Sequence, residues 1–361
     1  MAQTALERRF PTAESIPRAE FATLPTPIER LGTLGAEIGI GSLWVKRDDQ
    51  SGELYGGNKV RKLEYLLGEA IEEGHDEVWT VGAIGSHHVL ATCIYARQQG
   101  LEPAALHFPQ PITDHVLDNL RALSTTRPEL TLVGNRVQIP VEVLRMKIRQ
   151  WLASGPDVYY IPGGGSSPTG VIGYVNAVLE LAEQIEAGEA PEPDVIFAAA
   201  GTCGTIAGIL LGSEIVGLDC EVVGVRVVDR LITNKPAITR LARKTAKRLK
   251  NYDVATETSV DSDRVTLLQD YFGESYGTPT DEGTDAIERA ARTEGLELEP
   301  TYTGKTFAAV IGERDAMDLA DKNVLYWHTL NGVDLSERIA SANVEEDLPD
   351  EYARFFEEPT P

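Results

Sequence analysis

The 361-residue chain is long enough for one large or two medium domains, and its 42% hydrophobic and 25% charged residues are ordinary for a soluble globular protein. Its 33 basic and 56 acidic side chains give a formal charge of −23, which repels nucleic-acid phosphates and anionic membranes and excludes both as expected partners. The three scattered cysteines, Cys93, Cys203 and Cys220, contain no C-x-x-C pair; they argue against a disulfide framework or a structural zinc site and point to a reducing, cytoplasmic compartment.

The opening "MAQTALERRFPTAESIPRAEF" has no apolar signal core. Val60, Leu63, Leu67 and Ala70 recur at helical spacing and predict a helix starting near Asn58, a plausible N-cap. "DEVWTVGAI" reads as a strand, followed by the loop "GSHH", the helix "VLATCIYARQQG" and the strand "PAALHF". Next come a helix in "DHVLDNLRAL", an extended "LTLVG", a helix in "PVEVLRMKIRQWLASG" and a strand in "DVYYI". After the loop "PGGGSS", the stretch "PTGVIGYVNAVLELAEQI" is a helix with Pro168 in its first turn. "DVIFAAA", "GTCGT", "IAGILLGSEI" and "EVVGVRVV" then read as strand, loop, helix and strand. The uncharged window Val195–Ser213 is long enough to suggest a membrane span, but its glycines and hydroxyl residues favour this buried strand–loop–helix reading. The basic run "RLARKTAKRLK" reads as a solvated helix face.

Alternating strands and helices predict a parallel α/β sheet with helices on both faces, with ligands beyond the carboxyl ends of the strands. Three loops that follow strands are rich in Gly and Ser. Gly201-Thr202-Cys203-Gly204-Thr205 enters a helix whose N-terminus suits a phosphate, although a tight structural turn explains it equally well. It is neither a Walker A loop nor a G-x-G-x-x-G dinucleotide site, which disfavours a nucleotide-binding protein. Ser166 and Ser167 can cap a helix or bind a substrate carboxylate. Ser86 reads as an N-cap, and the adjacent His87 and His88 point different ways, so no metal site is expected. Lys59 stands in the first turn of its helix, facing the positive dipole end and crowded by Arg61 and Lys62. These effects lower the pKa of an ammonium and suit it to Schiff-base chemistry; alone, a solvent-facing lysine is the ordinary reading.

"KRDDQSGELYGGNKVRKLEYLL" resembles the pyridoxal phosphate-lysine segment of the fold type II enzymes, in particular the D-cysteine desulfhydrase and 1-aminocyclopropane-1-carboxylate deaminase group. "LPTPIERL", "GAIGSHH", "AAGTCGTIAG", "SYGTPTDEG" and "EPTYTGKT" are similar to further segments of that group, in family order from about residue 22 to residue 332. The resemblance implies a two-domain α/β fold like that of the tryptophan synthase β chain, with parallel-rich sheets flanked by helices. Residues 1–60 and 163–361 would form the large pyridoxal phosphate-binding domain and 61–162 a small α/β domain. A homodimer is usual in the family.

Carried over position by position, the resemblance gives Lys59 the Schiff base with pyridoxal 5'-phosphate and then the role of base. Asn58 would contact the ring hydroxyl. Gly201, Thr202, Cys203, Gly204 and Thr205 would hold the phosphate, and Thr303 would meet the ring nitrogen. Ser86 with His87 would take the substrate carboxylate, with His88, Ser166 and Thr329 also expected near the substrate. Tyr276 and Tyr302 would lie on or near the ring and substrate. A hydroxyl at Thr303 leaves the ring nitrogen largely neutral, which suits expulsion of a leaving group from Cβ. Thr303 and Thr329 match the desulfhydrase pattern, where the deaminase has Glu and Leu. Gly85 replaces the group's Gln, His87 its Asn, and Leu330-Asn331 a Gly-Gly pair.

The reading is a pyridoxal phosphate-dependent lyase. It would eliminate a β-substituent from a small amino acid, giving pyruvate and ammonia. A β-replacement synthase, or a cofactor-binding protein with little turnover, are the alternatives.

Overall fold

A computed structural model describes residues 3–152 and 158–357. Its ten strands in chain order are β1 (Ile28–Arg30), β2 (Ser42–Arg47), β3 (Glu77–Ala83), β4 (Glu102–Phe108), β5 (Glu129–Leu132), β6 (Val158–Ile161), β7 (Val195–Ala200), β8 (Glu221–Arg226), β9 (Val265–Leu268) and β10 (Asn323–His328). The helix expected over 140–155 is observed as Ile139–Leu152; residues 153–155, and residue 157 of the expected strand, lie outside the described residues. The fold is α/β, as expected.

The chain divides into two compact units. The first comprises Met1–Ile16, Glu20–Tyr65 and Ser166–Gly332, and the second Pro17–Ala19, Leu66–Gly165 and Val333–Pro361. The division runs a few residues later than the expected boundaries at 60 and 162. Residues from 333 onward, expected with the large domain, cluster with the second unit. There the C-terminal segment buries Tyr352, whose hydroxyl lies 3.0 Å from His107 Nδ1 on β4, while Arg127 donates to Asp347 at 2.8 Å and Arg338 to Thr125 at 2.8 Å.

The first unit holds a six-stranded sheet in the order β1-β2-β10-β7-β8-β9. Only β1 runs antiparallel to its neighbour. Strand β7 is buried along its whole length, which is why it reads as an unbroken apolar run rather than an alternating one. The run Val195–Ser213 is strand, loop and helix, and among the described residues no helix is long and apolar enough to cross a membrane. The basic run lies on the helix Lys235–Leu249 and just beyond it, with Arg240, Arg243, Lys244, Lys247 and Lys250 exposed.

A buried ionic network lies inside this unit. Arg61 donates to Asp48 at 2.7 and 2.9 Å and to Glu180 at 2.9 and 3.0 Å. Lys46 on β2 donates to Glu180 at 2.6 Å. Tyr174 and Trp327 donate to the other Asp48 oxygen at 2.7 and 2.8 Å. Burial alone would raise the Glu180 carboxyl, but Arg61 and Lys46 outweigh it and hold the group down at about 2.

The second unit holds a four-stranded, all-parallel sheet in the order β5-β4-β3-β6.

Candidate active site

In the first unit, the turn that presents Lys59 is held by backbone contacts. Gly57 has φ +83°, and a Cβ there would lie 2.8 Å from the carbonyl oxygens of both Thr329 and Leu330, so only glycine fits. Gly57 N donates to Asp48 O at 2.8 Å and Asn58 N to Thr329 O at 3.2 Å. Gly56 N donates to Asn331 Oδ1 at 2.6 Å. Thr329 thus enters through its carbonyl, and Asn331, which stands where the resemblance has glycine, takes up a backbone donor of the turn.

The helix spans Asn58–Glu72, and the Asn58 amide has a different task from the expected cap. Its Nδ2 donates to Thr205 Oγ1 at 3.1 Å, and its Oδ1 accepts from Lys59 Nζ at 2.7 Å. Asn58 therefore ties the lysine to the glycine loop. Burial pushes the Lys59 amine down to about 8, against the opposing pull of Glu299. The crowding expected from Arg61 is absent because that guanidinium turns into the Asp48–Glu180 network. Lys62 is itself buried, and burial, reinforced by the charge of Lys59, holds it well below its ordinary value.

The loop Gly201–Thr205 leads from β7 into the helix Gly204–Val216. Cys203, at φ 70°, stands at its N-cap position and supplies no side-chain cap. Ser166 Oγ lies 2.6 Å from Thr202 Oγ1 and accepts from Gly204 N at 3.2 Å, while Ser167 caps its own helix through Gly170 N at 3.2 Å. Ser167 thus takes the capping role, and Ser166 joins the glycine loop. A Cβ on Gly204 would fall 2.5 Å from Ser166 Oγ and 3.0 Å from Lys62 Nζ. Lys62, missed in the sequence reading, brings a second buried lysine side chain to this loop. Its signal was the three-residue step from Lys59, which puts both on one helix face.

Tyr302 lies on the other side of Gly201, its Cε1 3.5 Å from where a Cβ would stand. Its hydroxyl lies 2.6 Å from that of Tyr276, with the rings edge-to-face at 6.2 Å. Thr303 is buried at the start of the helix Thr303–Gly312, and its hydroxyl accepts from Glu299 N at 2.8 Å. The Glu299 carboxylate, also missed from sequence, accepts from the N–H groups of Thr301, Tyr302 and Thr303 at 2.7, 2.6 and 2.9 Å.

In the second unit, Ser86 caps the helix His87–Gln98 through Val89 N at 3.4 Å. His87 turns toward His115, whereas His88 turns inward, with its Nε2 2.8 Å from Thr80 Oγ1. His88, expected near the substrate, is therefore part of the core at 4% exposure.

A depressed lysine amine, a helix N-terminus entered through glycines and a second buried lysine beside it fit an aldehyde that carries a phosphate. The comparisons with known proteins agree. Residues 19–329 match the family model described as pyridoxal-phosphate dependent enzyme. A crystal structure of an ACC deaminase homologue is 30% identical, covers 94% of this chain and 99% of its own, and superposes with a TM-score of 0.77. Threonine deaminase isoform 2 from Solanum lycopersicum (15% identity, 88% and 86% coverage, TM-score 0.59) and an L-serine ammonia-lyase from Rhizomucor miehei (16%, 90% and 100%, 0.59) share the fold. The family match spans most of the sequence, and the chain belongs to the pyridoxal-phosphate dependent enzymes of fold type II.

Proposed function

We propose that the chain is a lyase that removes a β-substituent, such as a thiol, from a small amino acid, in the manner of a D-cysteine desulfhydrase, giving pyruvate and ammonia. The observation that carries this reading is Thr303. A hydroxyl stands at the position that the resemblance gives to the partner of the ring nitrogen, and the nearby Glu299 carboxylate is occupied by three backbone N–H groups. Without a carboxylate to hold a proton there, prompt loss of a leaving group is favoured over a long-lived carbanion. The deaminases and ammonia-lyase among the structural relatives are consistent with elimination.

When bound, pyridoxal phosphate withdraws electrons from the Cα of an amino acid. Lys59 would hold its aldehyde end and, as the amine, take the α-proton at Nζ. Lys62, Ser166, Thr205 and the Gly201–Thr205 backbone would hold the phosphate, Asn58 the ring hydroxyl and Thr303 the ring nitrogen. Ser86 and His87 would take the amino acid's carboxylate. The linked hydroxyls of Tyr276 and Tyr302 can hold a proton for the departing group.

A screen of D- and L-amino acids for pyruvate release tests this, with Lys59→Ala as control. Pyruvate is expected from a small amino acid with a β-leaving group, and its loss in the variant together with the visible band of the bound cofactor. A new amino acid formed with an added thiol, and no pyruvate, would replace elimination by β-replacement. A Lys59→Ala protein that still retains borohydride-trappable cofactor would sink the site itself.

A further inference from the structure

In the first unit, the turn that carries Tyr302 and Thr303 is gathered around one residue. Glu299 N donates to Thr303 Oγ1 at 2.8 Å, and Glu299 O accepts from Gly304 N at 2.9 Å. A Cβ on residue 304 would lie 3.1 Å from that carbonyl oxygen, so glycine there keeps the approach close. The side chain closes the same turn. Its Oε2 accepts from Thr301 N at 2.7 Å, and its Oε1 from Tyr302 N at 2.6 Å and Thr303 N at 2.9 Å. Glu299 is only 8% exposed, and a carboxylate can meet three buried donors without bringing one of its own.

These bonds decide what the Thr303 hydroxyl can do. One of its lone pairs is taken by the Glu299 N–H. Among the described residues, its proton meets two acceptors, Glu299 O and Oε1, both at 3.4 Å. That is beyond the roughly 2.5–3.0 Å of an O–H···O bond, and each of these oxygens already accepts an N–H. The proton is therefore left for another acceptor, and an unprotonated pyridine nitrogen is one. The Glu299 carboxylate, which could otherwise hold a proton on such a nitrogen, is bound up in its three backbone contacts. The groups that feel its charge are Lys59, Lys305 on the helix Thr303–Gly312 and Tyr326 on β10. Burial pushes both lysines down and Glu299 opposes it, while burial and then Glu299 raise the Tyr326 phenol, on which Asp49 also acts. Lys305 Nζ donates to Phe272 O at 2.6 Å, and the Tyr326 hydroxyl to Thr303 O at 3.2 Å.

We propose that Glu299 is a positioning residue: by folding residues 301–304 around itself it directs the Thr303 hydroxyl as a donor to the cofactor's ring nitrogen, and it sets its own charge against Lys59 instead of against that nitrogen. The inference rests on reading Thr303 as the partner of the ring nitrogen. One buried side chain then acts on both ends of the bound cofactor, on the ring nitrogen through the geometry of the turn and on the lysine through its charge.

The two effects separate in two variants. Glu299→Ala removes the anchor of the turn, whereas Glu299→Gln keeps an oxygen for the Tyr302 and Thr303 N–H groups and removes the charge. Holoenzyme loaded with pyridoxal phosphate labelled with 15N in the ring reports by NMR whether that nitrogen is protonated and whether it accepts a hydrogen bond. In the wild type the nitrogen should be unprotonated and hydrogen-bonded. Thr303→Val should shift its signal toward that of an unbonded nitrogen, Thr303→Ser should restore it, and Glu299→Ala should shift it as Thr303→Val does. Glu299→Gln should leave the ring signal near that of the wild type. In the apoprotein, however, it should make Lys59 easier to deprotonate, so that cofactor uptake at pH 7 becomes several-fold faster and its pH midpoint falls below about 8. Glu297→Gln, an exposed carboxylate of the same segment, should change neither readout. A protonated ring nitrogen in the wild type, a wild-type ring signal in Glu299→Ala that circular dichroism shows to be folded, or an unmoved uptake profile in Glu299→Gln overturns the proposal. If Glu299→Ala does not fold, the wild-type signal and the Glu299→Gln profile still decide it. A Thr303→Val signal equal to that of the wild type removes the reading of Thr303 and this inference together, whereas a shift in Thr303→Val that is absent from folded Glu299→Ala removes the inference alone.

Discussion

Lys59 combines two properties that oppose each other. It must be enclosed enough to lose its proton near neutrality, yet it must present an amine that an aldehyde can reach. Its helix leaves the side chain only partly buried, while its surroundings push the ammonium down to about 8. A lowered pKa puts more of the group in its reactive amine form at any pH below the ordinary lysine range. Attachment of pyridoxal phosphate to the apoprotein should therefore accelerate as pH rises from 6 and level off above about 8, rather than climbing on toward the ordinary value of about 10.4. Stopped-flow absorbance of cofactor uptake measures this; a rate still rising tenfold per unit between pH 9 and 10 would contradict it. Lys59 and the glycine loop were legible in the sequence because their signals are local: a helix start, and glycines after an apolar run. Lys62, Glu299 and His115 were not, because their partners at Gly204, at the Tyr302 turn and at His87 come together only on folding.

At the scale of elements, the strands β3 to β8 and the helices among them could be read from the sequence, since buried parallel strands leave apolar runs bounded by turn residues, whereas the helices Asp281–Glu294 and Thr303–Gly312 were not read. The strands β2 and β10 were not read as strands, although β10 lies inside the six-stranded sheet between β2 and β7. The sequence of β2, "SLWVKR", ends in charges, and nothing local shows that Lys46 is fully buried against Glu180, 134 residues away. That network joins β2, the lysine-bearing helix and the helix Pro168–Glu186. Removing Glu180 takes from Lys46 its carboxylate partner and leaves Arg61 with Asp48 alone in the core. Glu180→Ala should cost about 3–5 kcal/mol, read as a lower denaturant midpoint. The pH dependence has a definite sign. The Glu180 carboxyl is held below its unfolded value near 4.5, so its contribution is complete above that pH and disappears as pH falls through about 2. The wild type should lose stability over that window more steeply than Glu180→Ala; parallel profiles would mean that the carboxylate does not hold the elements together.

At the scale of the molecule, the excess of acidic residues was visible at once, but what it does to the folded chain depends on where the few cations go. Arg61 and Lys46 are spent inside the core, and five basic side chains of the run 240–250 are gathered on one exposed face. Much of the remaining surface carries unbalanced carboxylates. Many of its ion pairs join exposed partners, as in Arg121–Asp118 and Arg289–Asp285, and such pairs contribute only about 0–1 kcal/mol each. Like-charge repulsion spread over a net −23 then outweighs them. Salt weakens both, but it acts most on the repulsion, which sums over longer distances. Raising the salt from about 0.1 M to 1 M shortens the screening length from about 10 Å to about 3 Å. The melting temperature should therefore rise with sodium chloride across this range. The buried Arg61–Asp48–Glu180 network is shielded from the solvent and should contribute little to the slope, so Glu180→Ala should start lower and rise in parallel. Thermal unfolding followed by circular dichroism measures both curves. A wild-type melting temperature that falls with salt would show that surface pairs, not net repulsion, dominate the electrostatics of the fold.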